Sequence, residues 1–559
     1  MNSPDRTTGR TQAARSEGKS GIRWALLSVA AAAFAVEIPF FFRGIPSGHD
    51  VEFHLYSWLE LLSQWKQGIA YPRWAALAHF AYGEPRFIFY PPASLTLGGA
   101  LSAIFPWTLV PGIYIWTALT AAGACMFFLA RQWFDRRDAT FAAVLYAVNP
   151  YHIVIVYWRS AFAELLASSL LPLLLLLLLR TGENRRVTLP LAFVLACAWL
   201  TNAPAAVMIH YSLALLVIVI AWQRRSPVPF LVAFAAVFLG AALAAFYLLP
   251  AVYEQKSVNI AEAVSAGSRP ADNFLFVHTT DADHDSFNRI ISWVAVSEIV
   301  VTFAAAWAAR NWGSRQRRNW YVLVAWSAVC AVFMLAVTSP LWDNLPKLRF
   351  MQFPWRWLLC LGVPFTLLVT VAARRWTARV AIYAAFLAVI VFAGHRFQPP
   401  WWDNAADLRE MQDNMATGAG YEGTDEYAPL GADPSLIDKD ARRVTVEGPA
   451  HAAIHVFEWN AERKVLTAET SAPDNLVLRL FNYPAWRVEV NGNFIQPQTR
   501  PGTGQMLVPV AAGRNHVQVR FVRSWDRTVG AWISVLTILL MIVATQYKID
   551  LTWIPKTPS

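Results

Sequence analysis

Four ionisable side chains, His49, Asp50, Glu52 and His54, fall within six consecutive positions of the stretch GHDVEFH. A carboxylate in such company has two chemical uses. It takes a proton from an attacking hydroxyl, or it holds Mg2+ or Mn2+ as a hard oxygen ligand. Asp50 and His54 stand four apart, so a helix places both on one face. They are the candidate metal ligands, although nothing in the spacing demands an ion. Asp50 and Glu52 are candidate catalytic carboxylates, and His49 and His54 candidate substrate contacts. A structural reading competes. Ser47-Gly48-His49-Asp50 has the form of a capping box, with Ser47 as N-cap and Asp50 reaching back. Acidic groups in a first turn also suit the helix dipole, and Glu52 reads as a solvated face.

Three further clusters carry chemistry. WRSAFAE places Arg159 and Glu164 at a junction between apolar runs. An ionisable residue at a membrane edge is costly and normally partnered, so the two either pair to fix the loop or face a substrate. LPKLRFMQFPWRW carries Lys347, Arg349, Gln352 and Arg356. A guanidinium matches phosphate in two hydrogen bonds, which suits a polyprenyl phosphate or pyrophosphate. Trp355 and Trp357 would line an apolar channel for the prenyl tail, or form an interfacial belt. TTDADHDSFN holds Asp281, Asp283, His284 and Asp285 without the full spacing of a calcium hand, and reads as a solvated loop. The sequence has no Gly-rich phosphate loop with Lys-Ser/Thr, no GxSxG elbow and no HExxH. Nucleotide and serine hydrolysis lose ground, and the energy for a reaction must reside in the substrate, as in an activated lipid-linked sugar.

Apolar spans must position these groups. Of 559 residues, 56% are hydrophobic and only 15% charged. Apolar runs of about 18 to 25 residues, long enough to cross a bilayer, recur roughly a dozen times. The expected fold class is a polytopic α-helical membrane protein of about 12 to 13 spans. The net charge of +10 lies largely in short loops, where it sets topology and meets lipid headgroups rather than nucleic acid. The four cysteines all fall in apolar runs, which argues against a disulfide framework or a zinc site. Residues 1–23 are polar and basic, too long a charged region for a signal peptide, and read as a disordered cytosolic tail.

With the amino terminus inside, residues 43–88 form the first outside loop of a membrane domain covering residues 24–394. Leu55, Trp58, Leu59, Leu62 and Trp65 recur at helical spacing and predict an amphipathic helix on the membrane surface. YGEPRFIFYPP predicts an ordered, non-helical loop. Residues 89–130 hold two apolar halves around Pro106 and Pro111, before the basic, inside loop RQWFDRRD. Parity requires an odd number of crossings there, which leaves one half open to a re-entrant reading. Later spans fall near 139–157, 162–179, 188–202, 204–222, 228–249, 291–309, 320–338, 355–372 and 379–394, with the basic loops on the inside. Residues 395–527 turn polar and carry alternating runs such as NLVLRLFNY and WRVEVNG, which predict an extracytoplasmic β-sandwich-like domain. Residues 528–547 form a last span, and 548–559 a short tail.

The motifs GHDVEFH, YPRW, YGEPRFIFYPP, NPYHIV, YWRSAFAELLASSLLPL and QFPWRW, in this order across about residues 24–372, resemble the bacterial integral membrane proteins labelled 6-pyruvoyl-tetrahydropterin-synthase-related. Nothing in them resembles a pterin enzyme. Their order and spacing are similar to the GT-C glycosyltransferase superfamily, whose members use polyprenyl-phosphate sugar donors. EGTDEYAPLGAD and YPAWRVEVNG resemble the extracytoplasmic tail of related large bacterial membrane proteins. The resemblance implies a glycosyltransferase on the outer face of the bacterial inner (plasma) membrane. Its donor would be a polyprenyl-phosphate lipid and its acceptor an envelope glycan, lipid or protein. Asp50 matches the acidic residue of the first outside loop, the catalytic or metal-binding position of the superfamily. Glu164 joins the catalytic candidates. Arg73 in YPRW, Arg159, Lys347, Arg349, Gln352 and Arg356 join the substrate-binding ones. At TNAP, relatives tend to carry a histidine where Asn202 stands. Two rivals remain. A carrier or flippase for a lipid-linked glycan needs charges along a midplane path, and the span interiors are nearly uncharged. A non-catalytic envelope scaffold would use the sandwich for binding.

Overall fold

A bilayer offers the backbone no water, so apolar segments close their hydrogen bonds internally as helices. The computed structural model describes residues 6–181, 187–312 and 316–547. Among the described residues nine helices are long and apolar enough to cross a membrane: Gly21–Arg43, Trp107–Ala130, Arg136–Arg159, Phe162–Arg180, Ala203–Arg224, Ala282–Ala308, Pro354–Ala372, Trp376–Arg396 and Trp525–Gln546. Two bent pairs join them, Val228–Leu243 with Ala245–Ser257 at 75° and Arg317–Phe333 with Ala336–Asn344 at 87°. The spans expected near 228–249 and 320–338 are therefore broken rather than straight. The shorter Thr188–Thr201 leads into Ala203–Arg224, whose N-terminus Asn202 caps by accepting from the Ala205 amide. Asn202 thus has a local structural role of its own. The first helix begins at Arg6 and so carries regular backbone back into the basic stretch expected to be disordered. Residues 1–5 and the tail 548–559 lie outside the described residues.

One end of the bundle gathers the basic loops. Arg379 meets Asp138 at 2.7 Å, Arg180 donates to Gln132 and Gln223 to the carbonyl of Arg318. By the positive-inside rule this end is cytosolic, and Arg224 and Arg317 belong to it. Arg185 lies outside the described residues. At the other end Ile45–Pro46 pairs antiparallel with Trp402–Asp403, and the Trp158 indole donates to the Gln398 carbonyl at 3.0 Å.

This polarity resolves residues 89–130. Pro92–Ile104 has 13 residues, about 20 Å of helix against a core of about 30 Å. Its Gly98 lies against Trp58 of the surface helix Val51–Lys66. Trp107, just beyond it, donates to the Leu408 carbonyl on the extracytoplasmic side. Pro92–Ile104 is therefore the re-entrant half, and Trp107–Ala130 is the crossing.

The extracytoplasmic domain is a sandwich of two antiparallel sheets. One orders Val444–Val446, Asp474–Phe481, Gln505–Val510 and Gln498–Thr499. The other orders Ala452–Trp459, Arg463–Thr470, Gly513–Phe521, Trp486–Val490 and Asn493–Ile495. Leu466, Val488 and Val519 of the larger sheet share one core with Leu476, Leu478 and Val508 of the smaller. Trp486 is 5% exposed and stands edge-on to Trp74 of the first outside loop at 5.3 Å. One element departs from the expected β content. Ala405–Thr417 is a helix, with a capping box between Asn404 and Asp407 and with Leu408 and Met411 buried. Buried Glu254 on the kinked helix Ala245–Glu254 ties the sandwich to its anchor. It accepts from Tyr483 and pairs with Arg527 of the final span at 2.6 Å.

Candidate functional site

The span Arg136–Arg159 ends in a π-helical turn, Ile155–Arg159, followed by Ser160 in the left-handed region at φ 48°. Such an end leaves backbone carbonyls without partners in the helix. The first outside loop supplies them. The His49 amide donates to the Trp158 carbonyl at 3.2 Å, and the Asp50 amide to the Arg159 carbonyl at 2.9 Å. The Ser160 hydroxyl stitches the same join, accepting from the Gly48 amide and donating to the Pro46 carbonyl. These bonds fix where Asp50 stands.

The surface helix starts at Val51 with Asp50 at its N-cap position, yet the Asp50 carboxylate makes no capping hydrogen bond. The capping-box reading is therefore wrong. The expected N-cap, Ser47, turns to Asp403 instead. The Asp50 side chain is 38% exposed, and its Oδ2 accepts from Arg159 at 3.0 Å. Burial works to raise the Asp50 pKa, but Arg159, then His54 and Arg356, outweigh it and hold the carboxyl below its ordinary value. Arg159, 2% exposed, also stands 3.7 Å from Glu164. Arg356 is closer to Glu164, at 3.1 Å. Both guanidiniums lie over the Phe353 ring, and Arg159 also over Trp355. Asp50, Arg159, Glu164 and Arg356 thus form one chain of alternating charge with no net charge.

Other candidates fall around or away from it. Gln352 accepts from Arg356 at 3.4 Å. His49 packs edge-on to Phe287 and Trp401. His54 is buried among Phe53, Trp58, Tyr90 and Phe162, and burial pushes its pKa down to about 4. Glu52 is exposed; partial burial, then Asp403 and Glu422, raises its pKa. Lys347 and Arg349 are exposed beside Phe350. Arg73 lies over Tyr71, towards the Glu254–Arg527 pair. Asp281 caps the helix Ala282–Ala308 and Asp285 pairs with His278 and Arg289, so that cluster is structural.

The residues present do not fit a metal ion well. Arg159 already holds Asp50 Oδ2, and His54 is enclosed by aromatic rings. Among the described residues no three His, Cys, Asp or Glu side chains come together as a ligand set. Sequence reasoning passed over Tyr151, whose hydroxyl donates to Glu164. Tyr151 lies in the motif NPYHIV, but no local spacing ties it to Glu164, 13 positions further on.

Residues 87–397 match the 6-pyruvoyl-tetrahydropterin synthase related domain, described as a membrane protein. The chain belongs to that family. No curated protein matches it. In this family member the matched region takes in Arg159, Glu164 and Arg356 and begins after Asp50.

Proposed function

We propose that the chain transfers a sugar from a polyprenyl-phosphate-linked donor to an envelope glycan, lipid or protein acceptor, on the outer face of the membrane. The observation that carries this reading is the uncapped, part-exposed Asp50 held by buried Arg159, which shares Glu164 with buried Arg356. In an inverting transfer the acceptor oxygen bonds to the anomeric carbon as the bond from that carbon to the phosphate oxygen breaks. Asp50 takes the acceptor's proton. Arg159 and Arg356 stabilise the charge growing on the departing phosphate, an effect that is often the largest in such catalysis. Glu164 and Tyr151 hold the two arginines in place. Arg349, exposed on Phe350, has no part in this scheme. The test is Asp50→Asn in membranes carrying the lipid-linked donor. Loss of a positioned base lowers turnover by roughly two to four orders of magnitude. Near-normal transfer would remove Asp50 from the mechanism.

One observation favours a carrier instead. Glu298, within the span Ala282–Ala308, is fully buried, and among the described residues neither carboxyl oxygen has a hydrogen-bond partner. A lone carboxyl inside a span is a mark of an ion or proton path. On that reading Glu298→Gln abolishes movement of a lipid-linked glycan between leaflets while Asp50→Asn spares it. The transferase reading expects the reverse sensitivity.

A further inference from the structure

We propose that the membrane-facing end of the larger sheet binds the phosphate groups of anionic phospholipids in the outer leaflet, through a row of three arginines. Arg463, Arg520 and Arg487 stand directly opposite one another on the adjacent strands Arg463–Thr470, Gly513–Phe521 and Trp486–Val490. Opposed residues of an antiparallel pair share a face, with Cβ atoms about 5 Å apart. All three are exposed while Lys464, Val519, Trp486 and Val488 beside them are buried, so the row lies on the outward face. Like charges opposed in this way destabilise a sheet. Arg463 has Glu458 at 3.0 Å. Among the described residues neither Arg520 nor Arg487 has a carboxylate at ion-pair distance; Arg520 donates to the Gln518 amide, and Arg487 lies over the Phe494 ring at 5.5 Å. The row works against the fold and is short of anions.

Its position selects the partner. Arg520 comes five residues before Trp525, where the final span begins, which is about 17 Å of chain at most. The hairpin tip before Arg463 also reaches the membrane side, because the Ala461 amide donates to Gln67 at the end of the surface helix, at 3.2 Å. This end of the sheet therefore stands by the headgroup layer. A guanidinium binds a phosphate through parallel hydrogen bonds, and strands about 4.8 Å apart present three such groups side by side. The inference does not depend on the glycosyl-transfer reading.

The experiment uses full-length protein in detergent, titrated with phosphatidylglycerol or phosphatidylcholine, with retained lipid counted by native mass spectrometry. R463Q/R487Q/R520Q is expected to bind phosphatidylglycerol at least about tenfold more weakly, from the contribution of each juxtamembrane arginine. Phosphatidylcholine binding should not change. R463K/R487K/R520K keeps the charge and should keep most of the binding. Should the triple glutamine variant fail to fold, R487Q and R520Q singly carry the same test, each about fivefold weaker. Undiminished phosphatidylglycerol binding in the folded glutamine variants overturns the proposal. So does binding of polygalacturonate by the parent that is lost in the glutamine variant while phosphatidylglycerol binding stays intact, which would assign the row to an acidic glycan.

Discussion

Arg159 Nη2 donates to Asp50 Oδ2 at 3.0 Å, joining residues 109 positions apart. The bond keeps the Asp50 carboxyl ionised where burial alone would favour its neutral form. In its proposed role as base, Asp50 works above its depressed pKa and fails as the pH falls through it. Arg159→Gln removes the leading compensating charge and leaves the desolvating surroundings. The acid limb of kcat/KM against pH should then move upward. An unmoved limb in a folded variant would mean that Asp50 is not the titrating base.

Glu164 stands between two buried guanidiniums and accepts from Tyr151. Glu164→Gln leaves Arg356 without its carboxylate partner in poorly hydrated surroundings, while Arg159 keeps Asp50. Breaking a buried pair from one side costs about 3–5 kcal/mol. Tyr151→Phe removes a single hydrogen bond, for about 1 kcal/mol. Thermal unfolding of the purified protein separates the two. Equal, small losses would argue against a shared role for Glu164 in holding the arginines.

His54 gives a pH dependence with a definite sign. Burial lowers its pKa to about 4, with Arg86 and Arg159 acting in the same direction and Asp50 against. The unfolded chain takes up this proton near the ordinary histidine value, and the folded protein only near 4. The stability tied to neutral His54 is whole above the unfolded pKa and falls as the pH drops towards 4. The full difference corresponds to about 3 kcal/mol. His54→Phe should flatten this part of the profile between pH 7 and 4. A profile unchanged by the substitution would show that other groups set the acid limit.

The spans and their polarity were legible because hydropathy and basic loops are local signals. The sandwich was legible from alternation, and buried Trp486 at the head of WRVEV fits that pattern. Ala405–Thr417 was hidden by its polar composition, although Asn404 and Asp407 carry a capping signal and Leu408, Met411 and Met415 a helical spacing. The site was legible only in pieces. Asp50, Arg159, Glu164 and Arg356 could each be singled out, but no local pattern says that Glu164 lies nearer to Arg356 than to Arg159. Nor does one say that Arg349, seven residues before Arg356, stays on the surface. The capping-box reading failed because Ser47 has a distant partner, Asp403, which no local spacing reveals.

Gly48 offers a test that leaves every charged group in place. A Cβ built there would come within 2.6 Å of the Trp158 carbonyl oxygen, the Arg159 carbonyl carbon and the Ser160 amide nitrogen. These are backbone atoms, so they cannot swing aside as the end of a flexible side chain would. Gly48→Ala must push the first outside loop away from the end of the span Arg136–Arg159. The hydrogen bonds that the His49 and Asp50 amides donate to that end lengthen, and the Asp50 carboxylate moves off Arg159. Misplacement of a reacting group by about 1 Å lowers turnover by roughly a hundredfold. The helices should still form and insert, because the change touches one loop contact and no core side chain. The expected outcome is a variant with near-parent yield and detergent stability, and turnover down by about two orders of magnitude. Parent-like turnover would mean that the close backbone join at Gly48 does not position Asp50.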